Sequence, residues 1–209
     1  MNSKYYLLSS DASCDITHES FDKFKESNTY SCGHYRDPPI PEPLVATDYV
    51  FDGECQIFAM GIRFICNELI EIFSPYLEQE ADLAELKDQE NRIIVTGKIV
   101  WPHTKEIVIR GNNKSENFVC IECGRRIYFA RGKHYVLNHD LNNVPFIITY
   151  LGFIFDQSIY EKMISHPKLK LIKKKKTCPI PFEILDEPRD GYPIDLNQTP
   201  TDDERYFST

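Results

Sequence analysis

The sequence lacks any run of about 18 apolar residues, the length that a membrane-spanning helix needs. Its opening, MNSKYYLLSSD, has no basic stretch followed by a long apolar one, so it does not read as an export leader. The expectation is a cytoplasmic protein with no membrane partner. An excess of basic charge is also missing, since 24 Lys and Arg face 32 Asp and Glu for a net charge of -8. That balance argues against a general nucleic-acid binder and suits a basic protein partner. HExxH, GxSxG and P-loop motifs are absent as well. The six histidines are scattered, and the nearest pair, His134 and His139, has an odd offset that puts the imidazoles on opposite faces of a strand and out of phase on a helix. No catalytic or organic cofactor-binding residue is assigned from these patterns, and the reading is of a protein that binds and is not an enzyme. The dense, even cysteine framework of a small secreted domain is missing too. Seven cysteines lie at Cys14, Cys32, Cys55, Cys66, Cys120, Cys123 and Cys178, which suits thiols or ligands better than disulfides.

What is present is a hydrophobic content of 42%, with 12 Tyr and 13 Phe, enough to build a core in a chain of this length. KYYLLSS reads as a first strand and His18 to Glu26 as a short helix. The prolines between Pro38 and Pro43 impose an extended surface path. From Met60 the apolar spacing is helical through Ile62, Ile65, Leu69, Ile72 and Phe73, and Pro75 is expected to bend or end that helix. The acidic stretch from Glu78 to Glu90 is expected on a second helix or helical turn, either as a solvated face or as a recognition surface for a basic protein, with Glu78, Glu80, Asp82 and Glu85 as its candidate partner-binding residues. RIIVTGKIVW, KEIVIRG and PFIITYLGFIF read as strands, SIYEKMI as a short helix, and KLKLIKKKK as a lysine-guarded edge strand. MGIRFICNELIEIFSP and LGFIFDQSIYEKMISHP echo each other, each an apolar strand leading into a short helix. The predicted class is α+β, a single domain over residues 1–176 with a mainly antiparallel sheet, a CxxC-tipped hairpin and a few short helices. Residues 177–209 form a proline- and acid-rich extension that packs on it or frays.

The most specific chemistry lies in CIECGRRIYFARGKHYV, where Cys120 and Cys123 precede Gly124 between two strand-like runs. A C-x-x-C-G knuckle lets two sulfurs point at one tetrahedral metal at about 2.3 Å. TYSCG, Thr29 to Gly33, has the same shape with its first cysteine replaced by Thr29. Cys32, Cys120 and Cys123, completed by His34 or Cys14, are therefore the candidate ligands of a zinc ion that pins the N-terminal loop to the hairpin. The alternative is a turn whose thiols hold no metal. A thioredoxin-like pair and a C₂H₂ finger both fit the surrounding residues less well.

A CG pair near the start, a CxxCGR about a hundred residues later and a closing strand, helix and strand resemble the myxobacterial double-CxxCG motif family, within the wider set of bacterial toxin-immunity proteins. Cys32 and Gly33 carry the first part, Cys120, Cys123, Gly124 and Arg125 the second, and VPFIITYLGFIFDQSIYEKMISHPKLKLI the third. The match covers residues 118 to 175 and, more thinly, the first 55. The resemblance implies an immunity protein that binds a cognate protein toxin and occludes its active or binding surface. Thr29 departs from the family pattern, so metal binding does not follow from the resemblance. The reading from another class is a small zinc-binding structural or regulatory module.

Overall fold

The computed structural model describes residues 4–9, 12–13, 16–32, 36, 39–47, 55–57, 62–103, 109–111, 116–120, 122–124, 126–129, 133–141, 144–149, 151–169, 179–187 and 189. In chain order these form β1 (Tyr5–Leu8), β2 (Ala12–Ser13), α1 (His18–Asn28), β3 (Leu44–Val45), β4 (Cys55–Ile57), β5 (Arg63–Cys66), α2 (Asn67–Glu80), β6 (Ala81–Ala84), β7 (Leu86–Lys87) and β8 (Gly97–Pro102). There follow β9 (Arg110–Gly111), β10 (Glu116–Val119), β11 (Arg126–Phe129), β12 (His134–Leu137), α3 (Asn138–Leu141), β13 (Phe146–Thr149), β14 (Gly152–Asp156), α4 (Gln157–Ser165) and β15 (Ile180–Leu185). The fold is α+β, with mainly antiparallel sheets and a CxxC-tipped hairpin, as the sequence predicts. No helix among the described residues is long and apolar enough to cross a membrane.

The chain divides into two compact units built from interleaved segments. The first takes residues 1–27, 37–105 and 145–181. Its larger sheet has the order β2-β4-β5-β8-β6, and β5 and β8 lie at its centre. Alternate residues of those strands enter two different cores. Ile65 and Val100 join Leu69, Phe73, Phe146, Phe153 and Phe155 on one side. Phe64, Ile99 and Trp101 join Phe24, Leu44 and Leu86 on the other. Burial on both faces explains why Phe64 and Ile65, and Ile99 to Trp101, are consecutive apolar residues. In the same unit β14 pairs antiparallel with both β1 and β13. Gly152 opens β14 with a φ of 149°, and a Cβ there would stand 2.2 Å from the Leu8 carbonyl oxygen, so the close approach to β1 requires glycine.

Two sequence expectations are corrected in this unit, and of the two outcomes expected at Pro75 the ending of the helix does not occur. Ile65 lies in β5 and helix α2 starts only at Asn67, because backbone pairing of Phe64 and Ile65 with Ile99 and Lys98 outweighs their helical spacing. Helix α2 then runs through Pro75. Pro75 has no N–H to give the carbonyl of Glu71, and the Ser74 hydroxyl donates to that oxygen instead, at 3.1 Å. The acidic stretch forms no second helix. Glu78 and Glu80 end α2, and from Ala81, with φ -162° and ψ 155°, the chain is extended and pairs with β8. Beyond β7 an Asx turn follows, in which Asp88 accepts from the backbone N–H groups of Glu90 and Arg92, each at 2.9 Å, with Asn91 at a φ of 62°.

The strand-into-helix echo is present as β5–α2 and β14–α4, and β12–α3 repeats the junction a third time. Asp156 caps α4 by accepting from the backbone N–H groups of Ser158 and Ile159.

The second unit takes residues 28–36, 106–144 and 182–209. Here β12 pairs antiparallel with β9 and parallel with β15. Arg110 of β9 and Asp140 of α3 form a largely buried ion pair. Glu183 of β15 is held by Lys133 at 2.8 Å and by Arg189, and these cations lower its pKa, the hydrogen bond from Lys133 being the main cause. Part of the stretch after residue 177 is thus a sheet strand. The expected boundary at 176/177 and most of KLKLIKKKK lie outside the described residues.

Candidate metal centre

The site begins with a hairpin. Strands β10 and β11 pair antiparallel from Glu116 opposite Phe129 to Val119 opposite Arg126, and Cys120, Glu122, Cys123 and Gly124 lie between them in the chain. The backbone N–H of Gly124 donates to the Cys120 carbonyl at 2.9 Å, closing a tight loop around the two cysteines. Gly124 has a φ of 69° with no atom within 4 Å of a built Cβ, so glycine is required there by conformation and not by space. This turn aims the Cys120 and Cys123 sulfurs to one side.

The third thiol arrives from a separate loop of the same unit. After α1 ends at Asn28, the chain turns at Ser31 and Cys32. The Arg36 backbone N–H donates to the Asn28 carbonyl at 2.7 Å, and the Arg36 guanidinium lies 4.7 Å from the centroid of the Tyr30 ring. These contacts bring together the two ends of the segment that carries Cys32. The sulfurs of Cys32, Cys120 and Cys123 all lie within 4.8 Å of one another, close enough for a metal ion. Tetrahedral bonds of about 2.3 Å to one zinc would set sulfur–sulfur separations of about 3.8 Å, within that limit.

Electrostatics favour a thiolate at the inner position. Cys120 is 7% exposed, whereas Cys32 and Cys123 are half-buried. Burial pushes the Cys120 thiol up, but the backbone N–H groups of Cys123 and Glu122 and the thiols of Cys123 and Cys32 all point at its sulfur and together lower its pKa below the ordinary value. Donors of this kind stabilise sulfur-bound metal by spreading the thiolate charge.

Of the predicted ligands, the structure brings Cys32, Cys120 and Cys123 together; His34, like Cys14 and Arg125, lies outside the described residues. The predicted partner-binding acids belong to the first unit. Glu78 is exposed, Asp82 pairs with His103 at 3.3 Å and Glu85 with Lys98 at 3.4 Å. Glu80 is 5% exposed, and its carbonyl accepts the His103 N–H, so its carboxylate does not belong to an open surface. Asn28, Tyr30 and Arg36, which support Cys32, carry no spacing signal that sequence reasoning could use.

No family model matches the chain, and no curated protein matches it in sequence.

Proposed function

We propose that the protein is a metal-stapled binding module, in which Zn²⁺ at Cys32, Cys120 and Cys123 fixes the Cys32 loop to the hairpin. The observation that carries this reading is the convergence of three sulfurs, from loops far apart in sequence, to within 4.8 Å. Cys120 supplies the inner thiolate, stabilised by N–H donors, and the other two sulfurs close the site. His34 or Cys14 is the proposed fourth ligand. Protein purified without added metal is expected to carry about one equivalent of zinc by elemental analysis, and Cys32→Ser is expected to lose it. Wild-type protein with no bound metal would sink the reading.

The biological role we propose for this module is that of an immunity protein which binds and neutralises a cognate toxin. Support comes from the sequence resemblance and from the exposed carboxylates of Glu78, Asp82 and Glu85, which suit a basic partner surface. Mixed with the product of an adjacent toxin gene, the protein should form a complex whose association slows as salt is added. Asp82→Lys combined with Glu85→Lys should slow it further while leaving the far-ultraviolet spectrum unchanged. Absence of any complex rejects the role, and unchanged association kinetics move the interface elsewhere.

A further inference from the structure

We propose that the three sulfurs of Cys32, Cys120 and Cys123 form a binding site for a pyramidal, three-coordinate thiophilic centre, of which trivalent arsenic is the simplest case. The proposal rests on the reading of these cysteines as one site, and it goes further by naming a coordination number and a ligand class. Among the described residues the cluster is all sulfur, with no carboxylate or imidazole in it. Soft thiolate donors select soft centres, and a trivalent metalloid with a lone pair takes three bonds, so the three sulfurs complete its shell.

The burial pattern favours the same class. Cys120 is 7% exposed while Cys32 and Cys123 are half-buried, so a small neutral hydroxide can reach the outer two sulfurs first and then the inner one. The reaction As(OH)₃ + 3 RSH → As(SR)₃ + 3 H₂O forms three As–S and three O–H bonds, breaks three As–O and three S–H bonds, and changes no oxidation state. Its product carries no charge. The buried sulfur of Cys120 therefore escapes the desolvation cost that a charged trithiolate complex brings. Preorganisation adds to this, because the hairpin turn and the closed loop position the sulfurs beforehand and less ordering entropy is lost on binding.

The test is a titration of metal-free, reduced full-length protein with arsenite, followed by absorbance of the As–S bonds and by the number of thiols that arsenite removes from reaction in the folded protein. One equivalent should protect three thiols. Cys32→Ser should protect only two, with affinity lower by about tenfold or more, because one intramolecular bond is lost. Cys66→Ser, which alters a thiol at the end of β5, should still protect three, and circular dichroism establishes that each variant is folded. Protection of two thiols in the wild type, or equal affinity in the wild type and Cys32→Ser, overturns the proposal. The zinc reading fails separately: protein purified without zinc that still protects three thiols refutes that reading alone, and zinc-loaded protein whose stripped form protects only two refutes this one alone.

Discussion

Replacing Cys120 by serine is expected to abolish zinc binding and to lower stability by about 4 kcal/mol where free zinc stands a thousandfold above its Kd. For a chain of this length that corresponds to a fall in Tm of about 10 °C. The size of the effect follows from where Cys120 sits. Its sulfur is the buried one, the backbone N–H groups of Glu122 and Cys123 are aimed at it, and a serine oxygen at the same place is a poor zinc ligand. A chelator added to the wild type should produce the same fall and should have no further effect on Cys120→Ser. Equal melting of the wild type with and without chelator would mean that metal contributes nothing to the folded state. The two arms together separate loss of metal from damage done by the substitution, since a serine that merely disturbs packing would leave the wild type insensitive to chelation.

Phe73→Ala is expected to cost about 3–5 kcal/mol, read as a shift in the urea midpoint with little change in slope. Phe73 is fully buried on α2, and its ring centroid lies 4.8 Å from that of Phe146, 5.5 Å from Phe153 and 5.8 Å from Phe155. Removing the ring leaves a cavity lined by three other rings. Those rings sit on β13 and β14, which are paired in register and cannot collapse onto α2 without breaking their ladder. Ile164→Ala on α4 provides the contrast, because that side chain is 47% exposed and its loss should stay within about 0.5 kcal/mol. A cost for Phe73→Ala no larger than for Ile164→Ala would remove this cluster from the centre of the core.

Much of the secondary structure was legible wherever local chemistry agreed with tertiary pairing. The hairpin around Gly124 was, because the turn needs a positive φ and the flanking runs are β-formers. SIYEKMI was, because Asp156 supplies a cap and Ile159 and Met163 fall on one helical face. The acidic stretch was not. LEQEADLAELKDQE has strong helix formers throughout, yet four of its residues are extended because Ala81 to Ala84 pair with β8, and no local signal announces that partner. That α2 continues past Pro75 was not legible either, since the hydroxyl that satisfies the orphaned Glu71 carbonyl belongs to the neighbouring Ser74, whose rotamer the sequence does not specify. Cys32, Cys120 and Cys123 were legible as a group from a motif and its damaged echo, and their sulfurs lie close enough together that they could hold a metal ion.

The sequence alone sufficed for the α+β class, for the C-x-x-C-G turn and for Cys32 as its one clear companion, because each depends on residue type at short spacing: β-branched runs, a glycine in the left-handed region, a thiol beside a turn. Only the tertiary structure could decide that Cys32 reaches Cys120 and Cys123 to within 4.8 Å, that Cys120 is the buried member, and that Glu80 turns inward while Asp82 and Glu85 stay exposed. Those outcomes depend on which segments close onto one another across long stretches of chain. Spacing in sequence carries no information about that closure, whereas the geometry of a metal site consists of little else.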